Sequence, residues 1–69
     1  MPPSKATILV WLEQQMASPP DGVSNFLLLS ITAIRAYMQT DLGPFWNQKE
    51  IGDEDAFNAW LQSEVDLRK

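Results

Sequence analysis

Apolar residues recur with helical spacing in three stretches of the chain. In the first, Ile8, Leu9, Leu12 and Met16 follow the i, i+1, i+4, i+8 spacing of one helical face. Val10 and Trp11 lie off that stripe. Ser4 is a good N-cap, and Pro2 and Pro3 stand outside the helix. The run Ser18-Pro19-Pro20-Asp21-Gly22 cannot continue it. The pattern predicts a helix over about 4–17.

The second stretch is the most apolar. A central helix is predicted over about 24–42, capped by Ser24 or Asp21 and ended by Gly43 as C′ residue, with Pro44 behind it. Such a helix is roughly 27 Å long at 1.5 Å per residue. Its polar face holds Asn25, Thr32, Arg35 and Gln39, and Arg35 is expected to point to water with that stripe. Nearly everything else is apolar, with Leu28 and Leu29 flanking the polar stripe. The apolar arc therefore exceeds half the circumference, against the ~100° that an ordinary surface helix needs.

The third helix is predicted over about 53–67. Asp53, Glu54 and Asp55 occupy its cap and first turn, where negative charge opposes the positive end of the helix dipole. Phe57, Trp60, Leu61 and Val65 form its apolar stripe, and Arg68 and Lys69 suit the far end. A short fourth helical turn is expected near 44–50. The fold class is thus all-α: one domain over 1–69, a small bundle of three main helices with the outer two packed across the central one.

Length sharpens this picture. A chain of 69 residues buries only roughly 60% of its unfolded surface, so its stability is marginal. With 45% apolar residues it belongs to the globular class. It has neither cysteine nor histidine, so disulfides and the usual zinc or haem ligation are excluded. Oligomerisation or very good helix packing remains as support.

The net charge of −4 argues against a nucleic-acid partner. Lys5, Arg35, Lys49, Arg68 and Lys69 form no basic stripe, and the third helix would offer acids where a recognition helix needs bases. No signal peptide is expected at the N-terminus, since the apolar run after Lys5 is broken by Glu13. The nearly apolar stretch Phe26 to Met38 spans 13 residues and contains Arg35. A membrane span needs ~20. A cytoplasmic location is expected.

Candidate chemistry is sparse. Glu50, Asp53, Glu54 and Asp55 suggest a hard-cation site, but the EF-hand spacing fails. With Gly52 at position six, Lys49 and Ile51 fall at ligand positions and Asn58 at the last. These acids read as a capped helix start. No histidine-dependent triad is possible, and Gly22, Gly43 and Gly52 are isolated, so no phosphate loop exists. No catalytic, cofactor or metal residue is assigned, and no enzyme is expected.

The aromatic residues carry more. Trp11, Phe45, Trp46, Phe57 and Trp60 are a dense set for this length, and large aromatics are enriched at interfaces. The expectation is a protein–protein interaction module, a regulator, adaptor or accessory subunit that self-associates as a homodimer or binds another protein. Its interface is assigned to Trp11, Leu28, Leu29, Phe45 and Trp46. Two other readings remain open. An apolar ligand or lipid would sit between the helices at Leu27, Ile31, Met38 and Trp60. Alternatively, an acidic inhibitor would occupy a basic site on a target.

Overall fold

The computed structural model describes residues 2–69. Within them the chain forms α1 (Lys5–Ala17), a single 3-10 turn (Phe26–Leu28), α2 (Ile31–Leu42), α3 (Gln48–Ile51) and α4 (Glu54–Arg68). The all-α bundle of three main helices and one short one is the expected architecture. No helix is long and apolar enough to cross a membrane among these residues.

Each element starts where a side chain can replace a missing backbone acceptor. Ser4 accepts the amide of Thr7, Asn25 that of Leu27, Ser30 that of Ala33, Asn47 that of Lys49, and Asp53 that of Ala56. Pro3 and Ile8, the two positions of a hydrophobic staple around the first cap, are both buried. Gly43 and Gly52 end α2 and α3 at φ of +78° and +102°, a region where a side chain would be strained.

The central helix differs from its sequence pattern. Continuous helix over 24–42 is replaced by the 3-10 turn and a 12-residue α2. Leu29 and Ser30 are both extended, at ψ of 149° and 158°. The break has a packing reason. It lets Phe26 enter the core edge-on to Trp11 and Tyr37, with ring centroids 5.8 and 6.1 Å apart. Burying such a ring contributes ~1.5–3 kcal/mol, with about 0.5–1.5 more from edge-to-face pairing. Those gains offset the roughly two helical turns given up over 24–30. The division also shortens the apolar arc, so most of the surplus inferred from a continuous helix is consumed within the chain. The short helical turn likewise starts at Gln48, not near 44, because Asn47 caps it.

The core contains Ile8, Trp11 and Leu12 of α1, Phe26 of the turn, Ile34 and Met38 of α2, and Phe57, Leu61 and Val65 of α4. Two polar contacts join α1 to α4. Lys5 Nζ lies 5.5 Å from the Trp60 ring, and Arg68 Nε donates to Glu13 Oε1 at 2.8 Å. The contacts fall in the same order along both helices, Lys5 then Glu13 against Trp60 then Arg68, so the two run in the same direction.

Candidate functional site

The segment Gly43-Pro44-Phe45-Trp46-Asn47 leaves α2 and folds back over α4. Trp46 stacks on Phe57, with centroids 5.2 Å apart and planes inclined by 19°. Phe45 leans on Trp46 at 4.3 Å and on Phe57 at 5.8 Å. The Trp46 indole Nε1–H donates to the Gly52 carbonyl at 2.8 Å. Phe45 and Trp46 are half-buried, whereas Phe57 is fully buried. The two rings thus form a ledge at the surface, with the Trp46 ring face stacked on the core residue Phe57.

Arg35 lies beneath this ledge, a correction to the water-facing stripe expected for it. Its guanidinium carbon lies 4.7 Å from the Phe45 ring centroid, 5.5 Å from that of Phe57 and 5.8 Å from that of Trp46. Guanidinium planes bind ring faces through the ring quadrupole. Nη1 donates to Asn58 Oδ1 at 2.8 Å, and Nη2 to Glu54 Oε1 at 3.2 Å. The Arg35 side chain is only 17% exposed. Its Nε is buried without a hydrogen-bond partner among the described residues. The periodicity of α2 alone carries no sign of this, because the covering rings come from a loop.

An open depression of about 490 Å³ borders the ledge, lined by Pro2, Phe45, Trp46, Asn47, Gln48 and Lys49. Lys49 and Glu50 beside it are both exposed and join no ion pair among the described residues. A second depression, of about 330 Å³, is lined by Ala6, Thr7, Val10, Trp11, Gln14 and Leu42.

The five residues assigned to an interface are therefore dispersed. Trp11 is a core residue, 4% exposed, whose Nε1–H donates to Asp41 Oδ2 at 2.8 Å. Only its edge reaches the second depression. Phe45 and Trp46 are together on the ledge. Leu28 protrudes from the 3-10 turn at 79% exposure and lines neither depression, while Leu29 packs partly against the core. Val10 and Leu67, which the sequence does not assign to the interface, are 57% and 76% exposed.

The acids Glu50, Asp53, Glu54 and Asp55 are all exposed. Asp53 caps α4 and Glu54 pairs with Arg35. Among the described residues no three acids gather as a metal-holding group. Of the residues suggested to line an apolar slot, Met38 is in the core, and Leu27, Ile31 and Trp60 pack against it. Compared with known proteins, the chain matches no family model, no curated protein and no solved structure.

Proposed function

We propose that this domain is a small protein–protein interaction module that pairs with a second copy of itself through the Phe45–Trp46 ledge. The observation that carries this reading is the ledge itself. Two large rings are held at the surface by stacking, an indole hydrogen bond and an arginine, so little side-chain entropy is lost when they are covered. The flanking charges suit a second copy. A two-fold interface brings each patch against itself, so Lys49 of one chain can face Glu50 of the other. The apolar centre and paired rim resemble the anatomy of protein interfaces in general.

The test is sedimentation equilibrium over a concentration series up to about 1 mM, where association of only ~4 kcal/mol is detectable. Association is expected, weakened in Lys49→Glu and in Glu50→Lys, and restored when these two variants are mixed. A chain that stays monomeric throughout refutes self-pairing. Equal association of both single variants and the parent refutes the placement at the ledge.

A further inference from the structure

We infer that residues 43–52 form a strap that opens as a unit from an otherwise intact domain, with Arg35 as its latch. Four observations converge on this. The first is where the core comes from. Among the described residues, the nine residues of the buried core belong to α1, the 3-10 turn, α2 and α4, and none to the strap. The strap covers the core with half-buried side chains, Phe45, Trp46 and Ile51. It can lift without withdrawing a fully buried residue.

The second is the pair of joints. The strap begins at Gly43 and ends at Gly52, both with positive φ. Glycine there permits backbone rotation that other residues resist. The third is internal cohesion. The Trp46 indole donates to Gly52 O, and the amides of Glu50, Ile51 and Gly52 donate to Asn47 and Gln48 carbonyls, all within the strap. These bonds let it move as one piece.

The fourth is the latch. Arg35 is on α2, reaches Glu54 and Asn58 on α4, and carries the strap rings on its guanidinium face. In the closed form its buried Nε goes without a partner among the described residues. Opening gives that donor access to water, which removes a cost of the closed form. Holding contacts and a buried unpaired donor thus oppose each other at the same residue. Local opening of such a unit lies below global unfolding in free energy.

The experiment is native-state hydrogen exchange by NMR on the full chain, kept dilute so that self-association does not contribute. The strap reporters are the amides of Glu50, Ile51 and Gly52 and the Trp46 indole N–H. The core reporters are the amides of Leu12, Met38 and Leu61. Arg35→Gln destabilises the closed form and is expected to accelerate the strap reporters by ~10-fold or more. Arg35→Lys, which keeps the charge but loses the planar fork, gives a smaller acceleration. Ile8→Val, in the core far along the sequence from the strap, is expected to accelerate the core reporters by about 2- to 10-fold. It should leave the strap reporters unchanged, because Ile8 stays packed when only the strap opens. Two results overturn the inference. If Ile8→Val accelerates strap and core alike, the strap opens only with the whole domain. If Arg35→Gln leaves the strap reporters unchanged, Arg35 is no latch.

Discussion

Replacing Ser30 with alanine tests why the central helix is divided. Ser30 Oγ accepts the Ala33 amide at 3.2 Å, and Ser30 is extended at φ of −67° and ψ of 158°. Alanine removes the acceptor and favours helical backbone. Loss of an N-cap costs about 0.5–2 kcal/mol, and the exposure of Ser30 places it toward the lower half of that range. In a domain of this size ~1 kcal/mol lowers Tm by roughly 4–8 °C. The packing argument makes a second, sharper claim. Helix continued back through 24–30 would pull Phe26 from between Trp11 and Tyr37. That loss is larger than the cap energy, so the break persists in Ser30→Ala. Thermal melts followed by circular dichroism measure both quantities. The expected result is a lower Tm with unchanged ellipticity at 222 nm before the transition. A clear gain in helical signal, with Tm held or raised, refutes the reasoning: the cap and not Phe26 would then be what divides the helix.

The strap joints give a paired test. Gly43→Ala places a side chain in open space, so its cost is the backbone conformation alone, φ of +78° with ψ of −134°, a sparsely populated region worth about 1–3 kcal/mol. Gly52→Ala meets a backbone at φ of +102° and ψ of −157°, which essentially only glycine adopts, and sets its Cβ 3.0 Å from that of Ala56, so urea denaturation should rank it the less stable. Arg68 bonds Glu64 and Glu13, and hydrogen bonding to Glu64 raises its pKa above the ordinary arginine range. A raised pKa stabilises the fold below that range and loses the contribution only as pH rises through it. The stability difference between the parent and Arg68→Gln, read by urea melts, is therefore expected to stay constant from about pH 6 to about pH 10. A difference that shrinks across that window would show that the pair owes its effect to another titrating group.

Much of the fold was legible in the chain because its punctuation is local. Ser4, Gly43 and Asp53 act on their own backbone neighbourhood, and the structure uses each where the pattern places it. The run Phe26-Leu27-Leu28-Leu29 was not legible. Four adjacent apolar residues have no periodicity, so nothing within the run separates helix from turn. Asn25 and Ser30 held the missing signal as caps inside an apparent helix. Arg35 was misread for a different reason. Its position on α2 is local information, but its aromatic cover arrives from a loop, and loop placement leaves no trace in helical spacing. The candidate site was half legible for the same cause: Phe45 and Trp46 are visible as aromatics, while Trp11 is taken into the core by Phe26 and Asp41.

Five successive elements each begin with their own capping side chain, two or three residues from the amide it accepts. The consequence concerns how quickly the fold is reached. Element boundaries that are settled by near neighbours require no long loop to close first, and most close approaches in this chain join residues near in sequence. Chains dominated by such local contacts cross to the native state in microseconds to milliseconds. The short-range grammar that made the helix ends readable therefore also makes the folding search brief, leaving the docking of α1, α2 and α4 as its slower step.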